Sequence, residues 1–333
     1  MPQTHEGFRP DSKFLVIHTD SELHPLDSTL RARLEESGAR IVSISGDTDF
    51  AGAAACADAI LNADFRLTAP LISRLSRCRV ISRFGIGVDN IDVAAATARG
   101  IPVANVPEFC TEEVANRALT LMLACASQLL QLDRRVREGS WRAGEMPESI
   151  QIEGQVLGLV GFGRIARAVA RRALAFGMKV IAHDPYLAPS NISSMGAAPA
   201  SFEDVLSQSD FLSLHAPLTP ETHHLINAET LRLVKPSAVL INCARGGLVD
   251  EPALVDALRN QRLARAGLEV LEEEPPSADN PILRMDQVLF TPHSAAHTKK
   301  ALQRVREVAV DAVVRVLRGE RLLHVVNPSA VAA

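Results

Sequence analysis

Residues 156–184 read VLGLVGFGRIARAVARRALAFGMKVIAHD: an apolar run, a glycine-rich turn, a helical stretch and a second apolar run. This order is typical of two parallel strands joined by a crossover helix. Gly161, Gly163 and Ala166 follow the first run in a G-x-G-x-x-A pattern. The first glycine permits a tight turn, the second lets the backbone approach a pyrophosphate, and the small third residue packs helix against strand. The stretch predicts the start of a dinucleotide-binding domain, with a ligand-free tight turn as the structural alternative.

Asp184 ends the second apolar run, twenty-one residues after Gly163. An acidic side chain at this position can accept hydrogen bonds from the ribose hydroxyls of NAD. The same carboxylate would repel a 2′-phosphate, and residues 185–187 (PYL) bring no arginine to neutralise one. We therefore expect NAD(H) rather than NADP(H), while a turn cap before Pro185 is the alternative role for Asp184.

The alternation of strand and helix signals continues on both sides. Four further apolar runs follow, FLSLHAP, AVLINCARG, LARAGLEVL and VLFTPHS, so that six strands predict a Rossmann-type doubly wound parallel sheet. Residues 14–82 alternate short β-branched runs with amphipathic stretches, which predicts a second α/β sheet.

Residues 111–138 lack proline and glycine, so we expect one long helix there, capped by Thr111 and running as a spine between two domains. Residues 301–319 predict a C-terminal helix.

Composition excludes several classes of protein. The chain has 333 residues, 47% of them hydrophobic and 22% charged, with a net charge of −4, which is typical of a globular protein and argues against a nucleic-acid binder. The longest apolar run, 118–132, is too short and too polar to cross a membrane. The N-terminal residues 1–10 are polar and predict a loose leader rather than a secretory signal. The five cysteines are scattered, which predicts no disulfide framework and a reducing cytoplasm.

Three ionisable residues follow three successive predicted strands: Arg245, Glu274 and His293. Because parallel strands end at the same edge of a sheet, we expect these side chains to converge. Arginine suits a carboxylate or a polarised carbonyl oxygen, histidine can carry a proton near neutral pH, and a carboxylate can stabilise the imidazolium. Each residue alone would more often be a solvated charge or a surface polar group. His297 follows His293 at helical spacing, but no third ligand is evident, and we predict no metal.

Six blocks of the sequence carry a resemblance to a known family. They are ISRFGIGVDNIDVAAATARGIPVANVPEFCTEEVAN, LGLVGFGRIARAVARRALAFGMKVIAHDPY, LHAPLTPETHHLI, LINCARGGLVDEPALVDAL, LEVLEEEPP and LFTPHSAAH. In these blocks the chain resembles the D-isomer-specific 2-hydroxyacid dehydrogenases, and within them the branch of phosphoglycerate dehydrogenase and the C-terminal-binding proteins. The resemblance covers nearly the whole chain.

The resemblance implies an enzyme that interconverts a D-2-hydroxy acid and its 2-keto acid with NAD. Arg245 then corresponds to the substrate-binding and catalytic arginine, Glu274 to the carboxylate paired with histidine, and His293 to the general acid/base. The implied cofactor positions are Gly161, Gly163, Arg164, Ile165, Asp184, Ala216, Thr222, Cys243, Ala244, Arg245, Glu269, His293, Ser294, Ala295 and Ala296. Glu269 departs from the family's usual aspartate, which contacts the nicotinamide carboxamide.

The resemblance also implies where the substrate binds. The loop FGIGVDN places backbone N–H groups of Gly85, Ile86 and Gly87 on the substrate carboxylate. Arg83 matches a basic position near the phosphate of phosphoglycerate enzymes, but Asn62 stands where those enzymes often carry a second arginine. A phosphorylated substrate is therefore an alternative rather than the first expectation, beside hydroxypyruvate, glyoxylate and larger hydroxy acids.

The implied architecture is a discontinuous, flavodoxin-like substrate domain, residues 1–107 and 299–333, around a dinucleotide-binding domain, residues 108–298. Closure of the two domains would exclude water and align hydride donor and acceptor. Kinship implies a homodimer, in which we expect Trp141 to anchor packing or a subunit contact. An NAD(H)-sensing dimeric scaffold that recruits other proteins is the rival from another class.

Overall fold

The computed structural model describes residues 12–142 and 148–331, so the expected N-terminal leader lies outside the described residues. The chain divides into two compact units, Met1–Phe109 with Thr298–Ala333, and Cys110–His297. The strands are β1 (Phe14–His18), β2 (Ala39–Ser43), β3 (Ala59–Asn62), β4 (Val80–Arg83), β5 (Val103–Ala104), β6 (Val156–Val160), β7 (Lys179–His183), β8 (Ala198–Pro199), β9 (Phe211–Leu214), β10 (Val239–Asn242), β11 (Arg265–Leu268) and β12 (Val288–Phe290). The helices are α1 (Ser28–Glu36), α2 (Asp47–Ala53), α3 (Ala69–Ile72), α4 (Val93–Ala98), α5 (Thr111–Ser127), α6 (Leu129–Arg137), α7 (Arg164–Ala175), α8 (Pro189–Ser193), α9 (Phe202–Gln208), α10 (Glu251–Arg259) and α11 (Lys299–Leu317).

The first unit is a parallel sheet in the order β2-β1-β3-β4-β5, the flavodoxin-like arrangement. Its core is built from buried strand residues such as Ile17, Ile60 and Ile81. The C-terminal helix α11 belongs to this unit because it packs on β3 and β4, and the Ser82 hydroxyl donates a hydrogen bond to the Ala309 carbonyl at 2.9 Å. The unit is therefore formed by both ends of the chain.

The second unit is a parallel sheet in the order β12-β11-β10-β9-β6-β7-β8, and the predicted Rossmann-type sheet is confirmed. Residues of β9 and β10 are buried throughout, as expected for strands covered by helices on both faces. The strand order reverses between β6 and β9, the point beside which open α/β sheets bind ligands. The short edge strand β8, absent from the prediction, joins the six predicted strands.

The single long helix predicted over residues 111–138 is wrong. The structure has two helices, α5 and α6, separated by Gln128 in a left-handed conformation (φ 52°). The Gln128 side chain donates a hydrogen bond to the Glu148 carbonyl at 2.6 Å, and the Ile150 N–H bonds to the Ala126 carbonyl. A later segment thus ties down the break, and no proline or glycine marks it in the sequence. The predicted Thr111 cap is also wrong, because α5 begins at Thr111 after Cys110, without a side-chain cap.

Three further expectations concern Trp141, membrane spans and the cysteines. Trp141 is 82% exposed, so it anchors no packing within the described part of its own unit. None of the helices in the described residues combines the length and apolar character that a bilayer span requires. All five cysteines lie in the described part of the chain and are free thiols.

Candidate active site

The glycine-rich turn joins β6 to α7 at the middle of the second sheet. Gly161 has φ 87°, and a Cβ at this position would lie 2.9 Å from the Ala216 nitrogen, so glycine is required on both counts. Gly163 precedes α7, which has no side-chain cap, and a Cβ at Gly163 would meet no atom within 4 Å. Open space thus adjoins the N–H groups of the first turn, including Arg164 and Ile165. An uncapped helix N-terminus with open space above it fits a diphosphate.

Asp184 lies directly after β7 and faces this turn. One carboxylate oxygen accepts a hydrogen bond from the Phe162 N–H at 2.9 Å, and the other accepts from the Tyr186 N–H at 3.0 Å. The turn-capping role foreseen as an alternative is therefore present. A carboxylate has about four acceptor sites, so two hydrogen bonds leave capacity for ribose hydroxyls. The two roles of Asp184 are compatible.

The next loops of this edge follow β9 and β10. The Thr222 hydroxyl donates to the Pro217 carbonyl at 2.6 Å and accepts from the Thr219 N–H at 2.8 Å, which fixes the loop that begins near Ala216. Cys243 is buried directly after β10, and burial raises the pKa of its thiol above the usual range, reinforced by the charge of Glu269. The thiol is therefore protonated, and Cys243 contributes shape rather than charge.

Arg245 is placed by the turn after β10. The buried Asn242 side chain accepts from the Ala244 N–H at 3.0 Å and donates to the Arg245 carbonyl at 2.9 Å. Gly246 follows, and a Cβ there would lie 1.8 Å from the Leu271 carbonyl oxygen. Because residue 246 is glycine, the turn that carries Arg245 can contact the loop that carries Glu274. Asn242 and Gly246 are not among the predicted site residues. The available signal for Asn242 was a polar residue at the end of a buried strand, and for Gly246 it was the Gly-Gly pair.

His293 and Glu274 form a pair, as predicted. The His293 Nδ1 atom lies 2.7 Å from a Glu274 carboxylate oxygen, and the other oxygen accepts from the Leu271 N–H at 3.0 Å. Partial burial acts to raise the pKa of Glu274, but the hydrogen bond and charge of His293, the Leu271 N–H and the charge of Arg245 hold it below its ordinary value. The carboxylate is therefore ionised, and the positive charge of Arg245 acts on it. The structure brings the three predicted residues into one electrostatic cluster.

The backbone of His293 is itself unusual, with φ 46°. A histidine in the left-handed region costs on the order of 1 kcal/mol and persists only where surrounding contacts enforce it. Glu269 provides those contacts: its carbonyl accepts from the His293 N–H at 2.9 Å, and its carboxylate accepts from the Thr291 hydroxyl and the Ala295 N–H. Arg117 lies 3.4 Å from the same buried carboxylate. Both Glu269 oxygens are thus engaged within the protein, holding the loop of residues 291–296 that includes Ser294 and Ala296.

The glycine-rich loop of the first unit follows β4. The Gly85 carbonyl accepts from the Val106 N–H at 2.9 Å, and the Ile86 carbonyl accepts from the Asn105 side chain at 2.8 Å. Within the described part of the chain, the N–H groups of residues 85–87 donate no hydrogen bond. The loop therefore presents donors suited to an anion. The Arg83 side chain beneath it donates to the Phe84 carbonyl at 2.8 Å and to Asn90 at 3.2 Å.

Comparison with known proteins identifies similar chains. Residues 119–295 match the family model described as "D-isomer specific 2-hydroxyacid dehydrogenase, NAD binding domain". The chain is 40% identical over 269 residues to D-3-phosphoglycerate dehydrogenase of Methanocaldococcus jannaschii, covering 80% of this chain and 51% of the relative. It is 38% identical over 268 residues to glyoxylate reductase of Korarchaeum cryptofilum, covering 80% of this chain and 81% of the relative.

Among solved structures, D-lactate dehydrogenase of Aquifex aeolicus in complex with NAD and lactic acid superposes with a TM-score of 0.81 at 30% identity, covering 92% of this chain and 96% of that one. The chain spans about half the length of the phosphoglycerate dehydrogenase from M. jannaschii, and most of the length of the other two proteins. The matched family model and the uncapped helix at the glycine-rich turn agree that the second unit binds NAD.

Proposed function

Because the chain belongs to the D-isomer-specific 2-hydroxyacid dehydrogenase family, we propose that it interconverts a D-2-hydroxy acid and its 2-keto acid. The observation that carries the proposal is the His293–Glu274 pair, with 2.7 Å between Nδ1 and the carboxylate oxygen, in the NAD-binding unit and within the electrostatic reach of Arg245. When bound, NAD supplies hydride transfer to or from the C2 carbon of the substrate. Every other requirement of the reaction falls on side chains and backbone groups of this protein.

His293 handles the proton. Because Nδ1 is engaged by Glu274, Nε2 is the ring nitrogen available to the substrate. In the reducing direction His293 donates a proton to the 2-keto oxygen, and in the oxidising direction it takes the proton from the hydroxyl. Glu269 fixes the backbone of the loop that carries His293 and Glu274 holds its ring, so little reorganisation is needed during reaction.

Arg245 binds an anionic group of the substrate. The guanidinium provides a planar fork for a carboxylate and also polarises the keto oxygen. We also assign an anion-binding role to the backbone N–H groups of residues 85–87, because they make no hydrogen bond within the described part of the chain. Asp184 favours NAD over NADP by charge repulsion with a 2′-phosphate. An aspartate already fixed by two backbone N–H groups cannot easily turn away from that phosphate.

The decisive test is turnover of NADH with a panel of 2-keto acids that differ in size and in the presence of a phosphate. His293→Ala should lose at least about 10²-fold in kcat, the usual contribution of general acid–base catalysis, while its Kd for NADH changes little. His324→Ala removes an exposed histidine of the first unit and serves as the matched control. Wild-type turnover in His293→Ala would reject the role of His293, and NADH binding by the wild type without consumption of any keto acid would reject the enzymatic function.

The scaffold alternative is less favoured, because a binding protein has no need of a hydrogen-bonded histidine–carboxylate pair beside an arginine. We also propose a homodimer in a reducing cytoplasm. Leu129, Leu130 and Val136 are exposed on α6, a helix with no buried residue, and such an apolar face suits a subunit contact. The five free thiols suit a reducing compartment. Light scattering after size exclusion measures the oligomeric state, and a monomer would contradict the dimer.

A further inference from the structure

A second cluster of ligand-type side chains lies away from the His293–Glu274 pair. It consists of His223, His224 and Glu272, whose ligand atoms all lie within 4.8 Å of one another. The two imidazole rings are stacked with centroids 3.9 Å apart. The His224 Nε2 atom lies 2.7 Å from a Glu272 oxygen. The three side chains remain partly or fully open to solvent, so an ion can enter without displacing packed residues.

The backbone around the cluster is held from several directions. The His224 N–H donates to the Gly247 carbonyl at 2.8 Å, and the His224 carbonyl accepts from the Asn227 side chain at 3.0 Å. His224 also has φ 52°, an uncommon conformation for a non-glycine residue. On the other side, Gly246 packs directly on the Leu271 carbonyl, which precedes Glu272. The Gly246–Gly247 turn therefore holds the two segments that bear the ligands side by side.

We propose that His223, His224 and Glu272 bind one divalent transition-metal ion of the zinc class. Two imidazole nitrogens and one carboxylate oxygen form a donor set well suited to zinc, with a fourth position left for water. Mg²⁺ and Ca²⁺ are disfavoured because they prefer oxygen ligands throughout. Zinc bonds to nitrogen and oxygen of about 2.0–2.2 Å place tetrahedral ligand atoms about 3.3 Å apart. The distance of 2.7 Å between His224 Nε2 and the Glu272 oxygen must therefore widen slightly on metal binding. Any distance between ligand atoms that is close to the 4.8 Å limit must contract.

The site is distinct from the proposed acid–base pair, and the inference does not rest on the proposed function. Binding would cross-link the loop after β9 to the loop after β11, the loop that also carries Glu274. A ligand that binds only the folded state raises its stability. Bound metal should therefore raise the Tm of the protein.

The test uses the full chain without a polyhistidine tag, treated with chelator and then titrated with Zn²⁺ by calorimetry and with Co²⁺ by visible absorption. Wild-type protein should bind one equivalent at this cluster. His223→Ala and Glu272→Gln should each weaken binding by at least about tenfold, since even residues outside the ligand shell cost that much. Zn²⁺ should raise the Tm of the wild type more than that of either variant.

Matched controls exclude other sites. Glu273→Gln removes the neighbouring exposed carboxylate, and His324→Ala removes an exposed histidine elsewhere; both should bind Zn²⁺ as the wild type does. His293→Ala should also leave the affinity unchanged. Should His223→Ala fail to fold, His224→Asn replaces it, because asparagine tolerates the left-handed backbone. Absence of saturable binding, or binding that Glu272→Gln leaves intact or His293→Ala weakens, would overturn the proposal.

Discussion

Glu274→Gln isolates the electrostatic contribution of the carboxylate to proton transfer. The substitution keeps the shape of the side chain and a hydrogen-bonding group near His293 Nδ1, but removes the negative charge that lies 2.7 Å away. A hydrogen bond to a charged group contributes about 1.5–3 kcal/mol. Because the His293 side chain is 52% exposed and that of Glu274 35%, solvent screening places the contribution near the lower end, about 1.5 kcal/mol.

This energy corresponds to about a tenfold change in rate. At neutral pH kcat should therefore fall about tenfold in Glu274→Gln, with the Kd for NADH nearly unchanged.

The assay is steady-state NADH oxidation with the best keto acid of the panel, measured at neutral pH for the wild type, Glu274→Gln and Glu273→Gln. Glu273→Gln changes the net charge by the same amount without touching His293, so its kcat should equal that of the wild type. An unchanged kcat in Glu274→Gln, or an equal loss in Glu273→Gln, would refute the reasoning that the paired carboxylate assists proton transfer by His293.

Asp184→Ser should improve the ratio of kcat/KM for NADPH over NADH by at least about tenfold, because repulsion of the 2′-phosphate disappears; an unchanged ratio contradicts the role of this carboxylate. Gly161→Ala should lower the free energy of unfolding by about 1–3 kcal/mol and weaken NADH binding, because Gly161 has φ 87° and the added Cβ would press on the Ala216 backbone. Gly52→Ala is the control, because a Cβ at Gly52 meets open space. Burial lowers the pKa of His18 and His24 to about 4, below the unfolded value of about 6.5. As pH falls, the unfolded chain binds protons before the folded chain does. The free energy of unfolding therefore decreases progressively from pH 6.5 towards pH 4, by up to about 3 kcal/mol from His18 alone. Urea unfolding at pH 7 and pH 5 measures this loss, and His18→Phe should reduce it.

Glu269 holds the loop of His293 in place through contacts of its buried carboxylate. The resemblance places this residue beside the nicotinamide carboxamide. In the structure the carboxylate is 1% exposed and bonds Thr291, Ala295 and Arg117. Its extra methylene, compared with the family's aspartate, accompanies contacts that hold the loop of His293 in its left-handed conformation. These contacts make Glu269 a positioning residue for His293, while a contact with the carboxamide remains a prediction.

Much of the fold is readable in the sequence because its signals are local. Buried parallel strands need short apolar runs, the turn into α7 needs Gly161, and the crossover helices need amphipathic stretches; each requirement is satisfied by neighbours in the chain. The same locality located Arg245, Glu274 and His293 at strand ends. Their convergence was an inference from the rule that parallel strands end at one edge.

The rest depended on contacts between segments distant in sequence. The break at Gln128 is stabilised by residues 148–150, and the approach of the Arg245 turn to the Glu274 loop depends on Gly246 meeting a carbonyl 25 residues later. The His223–His224–Glu272 cluster and the Glu269 contacts have the same origin. The sequence alone determined the order of strands, helices and reactive residue types, because these follow from periodicity and turn chemistry. Only the tertiary structure decided which side chains touch, because close packing between loops has no signature along the chain.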